Sequence, residues 1–298
     1  MPKPREVIAR AKARLERARA RFGGIDVAVR VFKRYGADDG GSYAAALTYY
    51  VFFSIFPLIL FAAAVLGYLT FGDTELRNTL ITEGVKTVPI IRDALRPDGV
   101  QTIIDNRGGI ALTAAALALY SGSGAIVALE HALNKLHRLD DEPNWVQKRL
   151  RSLKWLVVLG VAGVFALGAQ ILRQWVDNIA FATLIFLVGL ALDIAIFATA
   201  YKFLPAVRQT WRQVLPGATV AGLAFMVLNL LGTSYLARGQ SARNDTFGTF
   251  ATAASLLLAS YLIAQVTLLA AEVNLVLQER RNMRLRSSLG ADQEGEVS

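Results

Sequence analysis

The sequence predicts an all-α, polytopic membrane protein with six transmembrane helices and both ends on the cytoplasmic side. Three observations lead there: long charge-free stretches, a lopsided distribution of basic residues, and tryptophans at the edges of the apolar segments. Of 298 residues, 54% are hydrophobic and 18% charged, where ordinary soluble domains carry roughly a quarter charged. Between Gly40 and Gly72 there is no Asp, Glu, Lys, Arg or His. Gly108–Leu129, Trp155–Leu172, Gln213–Ala237 and Thr246–Ala271 are equally free of charge, and Asn178–Tyr201 is interrupted only by Asp193. Each reaches the ~18–25 residues that a helix needs to cross about 30 Å of hydrocarbon.

Basic residues orient the spans, because Lys and Arg in short flanking segments stay on the cytoplasmic side. With the N-terminus inside, segments 1–42, 131–154, 202–214 and 278–298 hold 24 of the 32 Lys and Arg residues. The outer segments 73–107, 173–178 and 238–245 hold the other 8. Trp155, Trp175 and Trp211 fall at span edges, the level that indole rings favour. The net charge of +9 is therefore matched to an anionic inner leaflet and not to nucleic acid. With no cysteine, disulfides, thiolate metal sites and Cys nucleophiles are excluded. The first 24 residues are basic and lack the apolar core of a cleavable signal peptide.

The elements follow in order. Residues 1–42 form a basic cytoplasmic region. In it Ile25, Ala28, Val29 and Phe32 recur at helical spacing opposite Asp26, Arg30, Lys33 and Arg34, the pattern of a helix lying on the inner surface. Asp38-Asp39-Gly40-Gly41 breaks it. Span one, about 43–71, contains Pro57. The outer segment 73–107 carries amphipathic helical pieces that lie along the outer face and cap the bundle. Span two, about 108–130, contains Ser121-Gly122-Ser123-Gly124, small residues that let helices approach closely. Spans three (153–172) and four (179–201) share a short outer loop. Span five (215–236) opens with Pro216 in its first turn, where a missing N–H costs nothing. Span six (249–277) ends in a basic stop and a polar tail, 278–298, expected to be disordered.

The order of these segments carries a family resemblance. AAALTYYVFFSIFPL (44–58), LYSGSGAIVALEHALNKLH (119–137), LPAVRQTWRQVLPGATVAGLAF (204–225) and FGTFATAASLLLASYLIAQVTLLAAEVNLVLQER (247–280) resemble the YihY/BrkB family of bacterial inner-membrane proteins. The last-span core of that family, Gly-Ala-Glu-Leu, stands here as Ala270-Ala271-Glu272-Val273. The resemblance covers about residues 25–280. It implies a six-span protein of the bacterial cytoplasmic (inner) membrane, tied to envelope integrity and serum resistance. Members have been suspected of moving lipids or lipid-linked precursors, and some carry an old ribonuclease BN label regarded as a misassignment.

The residues themselves speak against an enzyme. A metal-dependent nuclease needs clustered His and carboxylate ligands. The two histidines, His131 and His137, are six apart and fall on different faces of one helix, unlike an i, i+4 metal pair. No catalytic residue, cofactor or metal is expected. The informative groups are polar side chains inside spans, which are rare and costly there. Tyr50, Ser54, Glu130, Asp193, Gln265 and Glu272 form the candidate intramembrane polar pocket. Asp193 disfavours insertion by ~2.5–3.5 kcal/mol and needs a partner, water or a proton. Tyr50, Ser54 and Lys202 are its candidate donors.

Two classes of function stay open. One is a transporter or flippase for a lipid or amphipathic solute. The other is a non-transporting envelope-integrity scaffold or regulator. Expected partners are anionic inner-leaflet lipids and, for the first class, a lipid-like substrate; homo-oligomerisation is compatible with either. The topology has a direct test. Ser241→Cys should react with an impermeant thiol reagent in intact cells, and Ser288→Cys only after the membrane is opened. The reverse pattern would overturn the orientation.

Overall fold

The computed structural model describes residues 23–69, 107–139, 145–173 and 178–296, which are helical apart from short connections. Six helices follow in order: α1 Gly23–Ala37, α2 Gly40–Leu69, α3 Arg107–Leu136, α4 Trp145–Arg173, α5 Ile179–Phe203 and α6 Trp211–Glu296. Among the described residues there is no strand. Residues 1–22 and nearly all of the outer segment 73–107, with its expected amphipathic pieces, lie outside the described residues. Among the described residues four stretches are long and apolar enough to cross a membrane: Ala116–Leu136, Ile179–Phe203, Trp211–Gly232 and Ala253–Arg284. The chain is thus an all-α membrane protein. Helices α2 and α4 cover the two remaining stretches read from the sequence.

Helix α6 carries helical backbone from Trp211 to Glu296, yet it is not a straight rod. At 1.5 Å per residue, Gly217 and Asn274 would stand roughly 85 Å apart. Instead the Gly217 amide donates to Asn274 Oδ1 at 2.6 Å. Gln278 reaches Gln209 in the same sense, so the two limbs of α6 lie antiparallel. At the other end helix continues through residues that read as a disordered tail. The stretch Arg281–Glu296 is dominated by Arg, Leu, Gln and Glu, which lose little freedom in a helix.

Local signals set the other boundaries. The Gln213 side chain caps the start of α6: its Oε1 accepts from the Thr210 amide at 2.7 Å and from the Thr210 hydroxyl at 2.9 Å, while the Gln213 amide donates to the Thr210 backbone carbonyl at 3.0 Å. The cap starts α6 at Trp211, more than a turn before the position expected from Pro216. Helix α3 ends in a Schellman pattern, with Leu139 N bonded to Asn134 O and Arg138 N to Lys135 O. Arg138 takes the left-handed conformation there, φ 58°. Asp39, at φ 52°, makes the turn between α1 and α2, although two glycines follow it. Asn178 caps α5 by accepting from the Ala180 and Phe181 amides.

The helices close a ring. Each approaches the next, α2 to α3, α3 to α4, α4 to α5, α5 to α6 and α6 back to α2, and α3 and α6 also touch across the ring over a small patch. Small residues permit the tight contacts. Gly122 receives Leu156, Gly124 receives Tyr50, and Gly222 receives Ile194. Buried apolar side chains concentrate at one end of the ring: Leu133, Leu136, Tyr201, Leu204, Val214 and Leu268. This is the end that carries the basic segments. Toward the opposite end Leu112 and Ile179 are exposed at 76% and 86%, while Ile185 and Leu256 are buried.

The tightest approach gives a prediction. A Cβ on Gly217 would collide with the Ala270 carbonyl oxygen and meet Asn274 Cγ at 2.6 Å. Gly217→Ala should therefore destabilise the α6 hairpin by ~1–3 kcal/mol, read as a lower melting temperature of the purified protein. Gly232→Ala, where a Cβ meets nothing within 4 Å, should match or exceed the wild type. Equal melting of all three proteins would refute the packing of the two limbs.

Candidate functional site

The six polar residues singled out in the sequence fall into separate places. The richest surrounds Glu272, whose side chain is 0% exposed. Its partner comes from α1, where Arg34 Nε lies 2.9 Å from Glu272 Oε2. The same guanidinium contacts Glu279, stands 3.3 Å from Asp38 Oδ2, and donates to Leu136 O at 3.2 Å. Arg138 Nη2 closes the cluster on Asp38 at 3.2 Å. Three carboxylates thus share two guanidinium groups. Arg34 Nε approaches Glu272 and Asp38 as a charge without hydrogen-bond alignment.

Further contacts fasten α1 along the second limb of α6. Tyr35 Oη donates to Gln265 Oε1 at 2.6 Å, and Gln265 Nε2 donates to Tyr261 Oη at 2.5 Å. Burial, with Tyr261 and Glu272 nearby, pushes the Tyr35 hydroxyl up to about 12, so it remains a neutral donor. Asp26 accepts from Arg280 at 2.5 Å and from Arg30 at 2.8 Å. Gln265, Glu272 and Glu279 are spaced by seven and share one face of α6, which is the face α1 covers. The polar side of α1 is therefore its docking side, and Phe32 points outward, exposed.

A second polar group ties the α5–α6 connection to the end of α3. Asn134 Oδ1 accepts from the Ala206 amide at 2.8 Å. Gln209 Nε2 donates to Tyr201 O at 3.1 Å and lies 3.0 Å from His137 Nε2, while Gln209 Oε1 accepts from Gln278. With the Gln209 amide nitrogen acting as donor, His137 Nε2 is the acceptor and its ring proton sits on Nδ1. Burial first, then the Arg34 charge, push His137 down to about 4, which keeps the ring neutral. The other histidine, His131, meets the Tyr43 ring edge-on at 5.8 Å. Among the described residues no group of three or more His, Cys, Asp or Glu side chains is placed to hold a metal ion.

The remaining candidates lie apart from Glu272. Glu130, buried, has Arg151 Nη1 at 3.4 Å. Arg151 also donates to Phe203 O and Leu204 O. Ser54 donates to Val51 O of its own helix at 2.8 Å, and Tyr50 is half exposed with its ring over Gly124. Asp193 lies with Ile185 and Gly189 on the buried stripe of α5, and among the described residues no hydrogen bond or ion pair reaches it. Two of its three candidate donors are committed elsewhere: Ser54 to the Val51 carbonyl, and Lys202 to the face of Trp211 at 4.0 Å. Sequence reasoning passed over Arg34 as a partner, and over Asn134, Gln209 and Asn274. The available signal was an Asn two residues from Glu272 inside an apolar span, a residue that must find a partner there.

Comparison with known proteins agrees in its extent with this fold. Residues 31–294 match the family described as virulence factor BrkB. The chain is 22% identical over 266 residues to the "Putative ribonuclease-like protein YfkH" of Bacillus subtilis, covering 85% of this chain and 95% of that one. It is 24% identical over 269 residues to the inner membrane protein YhjD of Escherichia coli, covering 82% and 78%. No solved structure matches the chain.

The Arg34–Glu272 pair can be tested by a double-mutant cycle. Arg34→Gln leaves the enclosed Glu272 carboxylate without its counter-charge and should cost ~3–5 kcal/mol. Glu272→Gln should cost less, because Arg34 keeps Glu279 and Asp38. The double variant should recover stability relative to Arg34→Gln alone. Additive losses in thermal melts of the purified proteins would mean that the two groups do not interact.

Proposed function

The chain belongs to the virulence factor BrkB family, and on that premise we propose that it moves a lipid or amphipathic solute across the bacterial inner membrane. In this reading the protein crosses the membrane six times with both ends in the cytoplasm. The basic end of the ring then faces inward, and the opposite end faces the outer leaflet or the periplasm. The protein is not an enzyme. It works without a bound nucleotide and draws on a proton or ion gradient.

One observation carries this reading. Among the described residues the ion pairs that join helices gather at the basic end of the ring, and Asp193 lies on the buried stripe of α5 with no hydrogen bond or ion pair. A carboxylate at mid-span is expensive, and such a group suits a pathway that binds a cation, a proton or a polar headgroup. The rival reading, an envelope-integrity scaffold, calls for a bundle whose carboxylates are all paired. Glu272 and Glu130 meet that description and Asp193 does not.

Reconstitution separates the two. Purified protein in liposomes should accelerate movement of labelled lipid over protein-free vesicles, and the movement should respond to an imposed proton gradient. Asp193→Asn should insert and melt like the wild type while losing at least tenfold of the rate, because it keeps the shape and removes the titratable charge. No movement under any gradient would favour the scaffold. A fully active Asp193→Asn protein would remove the charged or proton-carrying role from this residue.

A further inference from the structure

Outside the sites already described, the basic end carries a cluster built from three helices. The Trp155 ring of α4 stacks on Phe203 of α5 at 5.2 Å, and Phe203 meets Trp211 of α6 edge-on at 5.8 Å. Phe203 and Trp211 are exposed. Two ammonium groups sit over this platform. Lys202 Nζ lies 4.0 Å from the centre of the Trp211 ring and 4.9 Å from Phe203, and Lys154 Nζ lies 5.9 Å from Trp155.

Arg149 is held by the Tyr120 carbonyl and ring, and Arg151 by two backbone carbonyls and the Glu130 carboxylate, whereas the two lysines contact only aromatic rings among the described residues. Among the described residues no carboxylate pairs with Lys154 or Lys202. Lys154 also interrupts an outward apolar stripe of α4, with Leu150 exposed one turn before it and Val158, Val161 and Phe165 exposed after it. Continuous outward apolar surface on both sides of an ammonium group places that charge against lipid, at the depth where long cationic side chains reach for the headgroups. Indole rings favour the same level.

We propose that this platform is a headgroup site for one anionic phospholipid, its phosphate between Lys154 and Lys202 and its acyl chains along the Val158–Phe165 stripe of α4. The unmatched positive charge supplies the selectivity. The aromatic faces hold the ammonium groups in place by cation–π attraction, and the apolar stripe distinguishes a lipid from a free anion. The site stands on the membrane placement of the basic end and is independent of whether the chain transports anything.

Native mass spectrometry of the purified full-length protein tests it, after exchange into micelles containing phosphatidylglycerol or phosphatidylcholine. The wild type should retain one tightly held phosphatidylglycerol and no equivalent phosphatidylcholine. Lys154→Gln with Lys202→Gln should reduce that retention by about tenfold or more, as expected for two lysines near a headgroup. Lys33→Gln, which removes an exposed charge elsewhere at the basic end, should leave it unchanged. Excess inorganic phosphate should not displace the lipid. Equal retention of the two lipids by the wild type would overturn the site without reliance on any variant. Full retention by the double variant, or displacement by phosphate alone, would overturn it as well.

Discussion

A carboxylate with no access to solvent needs its counter-charge close by, and for Glu272 that charge arrives from α1 rather than from another span. The consequence reaches well beyond one ion pair. Removing an ion from water costs several kcal/mol even after relaxation, so Glu272 is tolerable only while Arg34 is docked. Arg34 can dock only if α1 lies along the second limb of α6, which the Tyr35–Gln265 and Asp26–Arg280 contacts also require. The turn at Asp39 then delivers the chain into α2, and α2 in turn packs on α3 and α6. The short N-terminal helix is therefore part of the membrane domain's basic end.

Polar contacts and apolar packing are distributed unequally along the ring. The contacts that join helices far apart in sequence cluster at the basic end: Arg34–Glu272, Asn134–Ala206, Gln209–Gln278, Tyr201–Thr267 and Gly217–Asn274. Farther along, Ser121 and Thr183 bond back to carbonyls of their own helices. Lipid chains are as apolar as the side chains they meet, so hydrophobic burial alone holds membrane helices together weakly. Directional polar contacts and close approach at glycines do more. An end that has both is fixed.

The ribonuclease wording in the name of one relative finds little chemical echo in these residues. His131 packs against a tyrosine ring, and His137 is held neutral as an acceptor of the Gln209 amide. Asp26, Asp38, Glu130, Glu272 and Glu279 are engaged by guanidinium groups, which leaves these five poorly disposed to gather a divalent ion. The position with unspent chemical potential is Asp193, inside the membrane domain and away from both histidines in sequence.

The sequence by itself determined the class of this protein. Charge-free runs of about the length a bilayer requires can be little else than membrane-spanning helices, because unsatisfied backbone groups are intolerable in hydrocarbon. It also supplied the stripes on which Gln265 and Glu272 recur, since helical period is a local property. What it could not supply was partnership. Arg34 looked like the solvated side of a surface helix, because an amphipathic pattern says that two faces differ and not which face docks. Pro216 looked like a helix start until the Thr210–Gln213 cap, a glutamine side chain accepting from the Thr210 amide and hydroxyl, set the boundary earlier. Lys202 looked available to Asp193, and the ring of Trp211, beyond the α5–α6 connection, claims it instead. Only the tertiary structure decided these points, for one physical reason. The stability of a charge inside a membrane depends on what lies within about 4 Å of it, and chain distance carries no information about that.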